Sequence, residues 1–204
     1  MKRIVCTVLA LVMLASVVAL AQEKKPTTPP AQKPGTPDAA AQQAAMQATM
    51  PGEHHAHMKK LVGEFDYTIT MVMPGMPPQE YKGHRSAKMV MGDRYLDETY
   101  TGTFMGMPFE GHGIMAYDNI QKKYLSTWMD NMGTGIMMES GQCANNGTEW
   151  TLTGDMADPM TGKMVPMRSV TKMVDADHMT MDMYGAGPDG KEMKMLSIAA
   201  TRTK

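Results

Sequence analysis

The chain has 204 residues, 43% of them apolar, and a formal net charge of −1 with acids and bases interspersed. No basic stripe runs through it to follow a phosphate backbone, so no nucleic-acid partner is expected. Two cysteines, Cys6 and Cys143, are too few to staple a fold, so stability must come from an apolar core to which 27 methionines, several times ordinary usage, contribute.

The N-terminus reads as an export signal. Lys2 and Arg3 supply a positive start, residues 4–20 are apolar apart from Thr7 and Ser16, and Ala19-Leu20-Ala21 offers small residues at the −3 and −1 positions. The polar Gln22-Glu23-Lys24-Lys25 that follows favours cleavage after Ala21 over retention as an anchor, leaving no membrane span in a periplasmic or secreted protein. No cysteine follows the apolar run, which argues against a lipoprotein. Residues 22–52 form the next unit. Up to about Pro37 the composition is Pro, Thr, Lys and Gln, too polar to offset its ordering entropy, and it is expected to be a flexible tether. Asp38 can then cap a short Ala/Gln-rich helix to about Thr49, which Pro51-Gly52 ends.

The third unit, 53–204, opens on a second helical stretch over 53–62. Met58, Leu61, Val62 and Phe65 share one face, and Gly63 marks the stop. From there the apolar period changes to two. Ten strands are predicted, at roughly 64–73, 79–91, 94–103, 109–118, 122–130, 134–143, 148–156, 163–174, 178–184 and 192–202. Turn sequences such as Pro74-Gly75, Gly92-Asp93, Asn146-Gly147 and Pro188-Asp189-Gly190 separate them. Short connections allow no βαβ crossover and imply an antiparallel meander. Closing that meander removes its exposed edges. The expected fold is therefore all-β: a closed up-and-down antiparallel barrel of about ten strands, with one or two short N-terminal helices capping a mouth. Methionines alternate along several strands, as at Met179, Met181 and Met183, which directs them to one side, expected to be the interior.

Several segments carry a family resemblance. They are Gly102-Thr-Phe-Met-Gly-Met-Pro-Phe-Glu-Gly-His-Gly113, Tyr117-Asp118-Asn119, Tyr124-Leu-Ser-Thr-Trp128-Met-Asp130-Asn131-Met-Gly-Thr-Gly135, Asp158-Pro-Met-Thr-Gly-Lys163 and Gly187-Pro-Asp-Gly-Lys-Glu192. With these motifs in order, the chain over about 55–203 resembles a family of exported bacterial proteins defined as a domain of unknown function. The resemblance implies a calycin-like barrel akin to lipocalins and fatty-acid-binding proteins, and it implies no activity. Members usually carry Gly-x-Trp at the first strand, where this chain has Gly63-Glu64-Phe65.

Three groups of residues could carry function. Period two places Trp128 and Asp130 on one face of their strand and Glu98 and Tyr100 on one face of theirs. If these and Arg168 point inward, they supply polar handles in an apolar cavity, the usual composition of a small-molecule site. Thioethers suit Cu(I) and Ag(I), so Met71, Met73 and Met76, with Met105 and Met107, form a weaker soft-metal candidate, set against Met as an adaptable core filler. Exposed thioethers would instead suit reversible oxidation. His54 and His57 share a helix face at a metal-binding spacing, although a solvated polar turn explains Glu53-His54-His55-Ala56-His57 more simply. His84, His112 and His178 stand alone in strands, with nothing to single one out as a haem ligand. Gly111 and Gly113 suggest curvature or a close backbone approach. Local nucleophile, metalloprotease, Cys-x-x-Cys and phosphate-loop signatures are absent, so no catalytic residue and no cofactor is assigned. The favoured reading is a barrel that binds a small apolar or amphipathic ligand. A Met-rich metal binder and a structural or interaction protein of the cell envelope are the alternatives.

Overall fold

The computed structural model describes residues 38–158 and 161–203. The expected signal peptide and the tether up to Pro37 lie outside the described residues. Asp38 caps the first helix, α1 (Ala39–Ala48), its Oδ1 accepting the Ala41 N–H at 2.7 Å. Asn119 donates to the carbonyls of Ala48 and Met50, satisfying backbone that the helix end leaves free. A second helix, α2 (Glu53–Met58), tightens into a 3-10 turn over Lys59–Leu61 and delivers the chain into the first strand.

Ten antiparallel strands follow: β1 (Gly63–Met71), β2 (Gln79–Val90), β3 (Tyr95–Phe104), β4 (Met107–Asp118), β5 (Lys123–Asp130), β6 (Met137–Ala144), β7 (Glu149–Asp158), β8 (Lys163–Met173), β9 (His178–Ala186) and β10 (Glu192–Arg202). Each pairs with its neighbours in sequence, and β1 closes the cylinder against β10, from Phe65↔Arg202 to Met71↔Leu196. This is the closed meander that the period-two pattern and short turns require. β4 begins two residues earlier than expected. Met105 (φ 51°) and Gly106 (φ 79°) both adopt left-handed conformations and make a two-residue hairpin, whose twist matches that of the flanking strands. On β10 the register shifts between Lys194 and Leu196, a bulge that bends the strand near one rim.

The core is concentrated at the end where β1 begins. Met58 and Leu61 come down from α2 and the 3-10 turn onto Phe65, Leu96, Tyr124 and Trp150, all six buried within 1%. Among them lies a fully buried cation. Arg85 on β2 reaches Glu98 on β3 through Nε at 2.9 Å and Nη2 at 2.7 Å, and its Nη1 donates to the Leu61 carbonyl at 2.9 Å. Its guanidinium also lies over the rings of Phe65 and Tyr100. Desolvating a cation is costly, and close pairing with further hydrogen bonds makes the cost tolerable. One side chain thus ties the helical segment to the barrel wall.

Glu98→Ala strands that guanidinium and is expected to cost about 3–5 kcal/mol of unfolding free energy. The double change Arg85→Met with Glu98→Leu should cost less than Glu98→Ala alone, because it removes both charges. Urea unfolding followed by circular dichroism ranks the variants.

Candidate functional site

Strand pairing fixes which side chains enter the barrel. Phe65 stands opposite Arg85, Arg85 opposite Tyr100, Tyr100 opposite Gly111 and Gly111 opposite Asp130, so all of these share the inner face. Near α2 that face is sealed. Towards the other end the inward residues are only half-buried, among them Ile69, Met71, Phe104, Phe109, Trp128 and Met183. Side chains that point into a closed cylinder can retain exposure only if solvent enters it. The barrel is therefore plugged at one end and open to solvent at the other, its mouth, with Ile69, Phe109 and Trp128 packed against the buried core.

The inner face carries Glu98, Tyr100, Trp128 and Asp130. Glu98 and Tyr100 lie deep, beside Arg85; burial pushes the Tyr100 hydroxyl well above its usual range, and the guanidinium only partly opposes this. Trp128 sits higher, edge-on to Tyr100 at 5.2 Å between ring centroids, and its Nε1 donates to Asp130 Oδ2 at 2.9 Å. The other Asp130 oxygen accepts the Met132 N–H at 3.0 Å and holds the β5–β6 loop. The two glycines singled out in β4 have a specific purpose. A methyl group on Gly111 would lie 2.5 Å from ring carbons of Trp128, and one on Gly113 would lie 3.5 Å from the same indole. At Gly111 the indole lies against bare backbone, which only glycine permits, whereas the approach at Gly113 is ordinary van der Waals contact.

Arg168 departs from the expected arrangement. It pairs in register with Tyr184 and Thr153, on the outer face, where it makes two hydrogen bonds to Glu192 at 2.8 and 2.7 Å and covers the Tyr184 ring at 4.0 Å. The β8 sequence Val165-Pro-Met-Arg-Ser-Val-Thr has mixed polarity on both sides, so its period alone cannot choose the inner one.

The metal candidates divide between opposite ends. Met71, Met73 and Met76 lie at or beyond the mouth end of β1, with Met76 exposed on the β1–β2 loop. His54 and His57 belong to the plug and cannot join them. The reading of 53–57 as a solvated turn is corrected: His55 is buried, His54 stacks on Tyr117 at 3.9 Å, and His54 and His57 each place Nδ1 within 3.3 Å of the Tyr124 hydroxyl. Burial, with neighbouring positive charge, lowers the pKa of His55 and His57. Among the described residues no group of three or more His, Cys, Asp or Glu is arranged to hold a metal ion. His84, His112 and His178 face outward and pair with carboxylates: Glu64 and Asp66, Asp97, and Asp175, respectively. Cys143 is a half-buried free thiol whose pKa burial raises. The methionines divide too: Met167, Met173 and Met179 are buried, while Met91, Met138 and Met164 are well exposed.

Sequence reasoning missed Glu139. It faces inward from β6, opposite Ser126 and Gly154, and is 8% exposed. Its Oε1 has no hydrogen-bond partner, a deficit of about 1–3 kcal/mol for a buried polar group. Burial pushes the carboxyl above its usual range, opposed in part by the Ser169 hydroxyl. Alternation gave no usable signal, because Met137 and Cys143 on its face are matched by Met138 and Ala144 on the other.

Residues 50–202 match a sequence family described as "Protein of unknown function (DUF1579)". No curated protein matches the chain. Among solved structures the barrel is similar to Rv2717c from M. tuberculosis, with TM-score 0.58 and 15% identity over 76% of this chain and 100% of that one. It is also similar to the S-type phycobiliprotein lyase CPES from Guillardia theta, with TM-score 0.51 and 9% identity over 78% of this chain and 97% of that one. At these identities the likeness establishes the fold.

Gly111→Ala should displace the Trp128 indole, cost about 1–3 kcal/mol and alter tryptophan emission, and the spectral change should vanish in a Trp128→Phe background. A second expectation concerns pH. Because folded Glu139 holds its proton more tightly than the unfolded chain does, stability should fall as pH rises through and above the ordinary carboxylate range. Glu139→Gln removes that loss, so its melting temperature should exceed the parent's by a margin that widens from pH 4 to pH 8.

Proposed function

We propose that this chain, which belongs to the DUF1579 family, is an exported barrel that binds a small apolar or amphipathic molecule in its lumen. The observation that carries the binding reading is the gradient along the inner face. Arg85, Phe65 and Leu96 are sealed at the plugged end, whereas Ile69, Phe109, Trp128 and Met183 keep partial exposure inside the same cylinder. A lumen lined by aromatic rings and thioethers, with a few fixed polar groups, has the composition of a small-molecule site. Methionine suits such a wall because its unbranched, polarisable side chain can repack around ligands of different shape.

Export is supported by the basic start, the apolar run and Ala19-Leu20-Ala21. Binding is favoured over catalysis because two of the inner-face pairs are committed internally, Arg85 to Glu98 and Trp128 to Asp130. Those pairs orient a guest without presenting an activated nucleophile beside a base.

Native mass spectrometry of protein recovered from its own cell envelope tests both parts. The expected species begins at Gln22 and carries a small-molecule adduct, and the stripped protein takes up the neutral dye N-phenyl-1-naphthylamine saturably. An intact N-terminus would overturn export. Absence of both adduct and saturable dye uptake would overturn binding.

A further inference from the structure

One inward carboxyl has no basic partner, and this bears on which guest the interior would accept. The Glu139 carboxyl is more than nine-tenths buried and aimed inward from β6, with Oε1 unpartnered. Its surroundings are Ser126 on β5, Gly154 on β7, and Met167 and Ser169 on β8. Gly154 leaves no side chain between the carboxyl and β8, and a methyl group there would run into the Met138 carbonyl.

The bases that could neutralise Glu139 are committed elsewhere. Arg85 serves Glu98 and the Leu61 carbonyl at the plugged end. Arg202 holds the Val62 carbonyl and lies over the Phe65 ring. On β8, Arg168 and Lys172 turn outward to Glu192 and Glu149. Higher on the inner face Asp130 adds a second carboxylate, whose donors, the Trp128 indole N–H and the Met132 amide, are both uncharged. Trp128, next to Asp130 on the inner face of β5, offers a ring whose face attracts cations as well as apolar groups.

Resting on the reading of the lumen as a binding cavity, we propose that the preferred guest is an amphipathic amine, whose ammonium head donates to Glu139 Oε1 while its apolar body lies along Trp128 and the methionine wall. A charge-assisted hydrogen bond would satisfy the orphan oxygen and supply the missing positive charge together. An alcohol could make the hydrogen bond but not supply the charge. A fatty carboxylate would bring a third negative group into an interior that already holds two uncompensated ones. Asp130, nearer the mouth, would draw the same cation in.

The test compares decylamine, decanol and decanoate at pH 7 as competitors of N-phenyl-1-naphthylamine, using parent protein and Glu139→Gln. For the parent, decylamine should bind at least about tenfold more tightly than decanol, with decanoate weakest. In Glu139→Gln, with its fold checked by circular dichroism, the amine advantage should collapse while decanol affinity stays within about twofold. If dye and decanol bind but decylamine has no advantage, or keeps it in Glu139→Gln, the amine proposal falls and the cavity reading stands. If neither the dye nor any of the three compounds binds, both fall.

Discussion

Everything about the interior depends on how one end of the barrel is shut. Arg85 is the constraint that shuts it: a guanidinium without solvent contact, paired with Glu98 on the next strand and bonded to the carbonyl of Leu61 in the segment that enters the barrel. A cation in that position can persist only with a close ion-pair partner and further hydrogen bonds. The geometry that satisfies it also fixes where the helical segment docks. Met58 and Leu61 then complete the seal by apolar burial, worth about 1.5–3 kcal/mol for each side chain. With one end plugged, the inner face of the ten-stranded cylinder is open to solvent at the opposite end.

Residues without side chains make room for rings on the inner face. Trp128 occupies the space above Gly111 and Gly113, and Tyr67 does the same over Gly83, where an added methyl would lie 2.3 Å from its hydroxyl oxygen. In each case a large ring lies against bare backbone on a neighbouring strand. This lays aromatic surface along the inner wall, where methionine side chains alternate with aromatic pairs such as Trp128 with Tyr100. The polar groups that survive inside lie at different depths. Glu98 is neutralised at the bottom, Glu139 is uncompensated part-way up, and Asp130 lies higher, with neutral donors only.

The plug is built differently from the wall. Its histidines interlock with Tyr117 and Tyr124 through ring stacking and shared hydroxyl contacts, and burial disfavours the charged form of His55 and His57. A run of three histidines that suggests a metal site in isolation is, in the folded protein, part of a stopper. The outward histidines lie against carboxylates instead, and hydrogen bonds donated to Asp66 and Glu64 raise the pKa of His84.

The architecture was legible in the sequence because strand and turn chemistry are local. Alternation along each strand, positive-φ residues at the bends and connections too short for a crossover leave little besides a closed meander. Period two put Glu98 with Tyr100, and Trp128 with Asp130, on shared faces; strand pairing is what makes those faces the inner ones. Where both sides of a strand are mixed, as around Arg168 and Glu139, local pattern carries no information about which side is inside. Pairing with adjacent strands decides that, and it turned the arginine out and the glutamate in. The tertiary structure alone also decided that 53–57 folds down as a plug and that Glu139 is left without a counter-charge. Both depend on which groups meet across the barrel, and sequence separation does not encode such meetings.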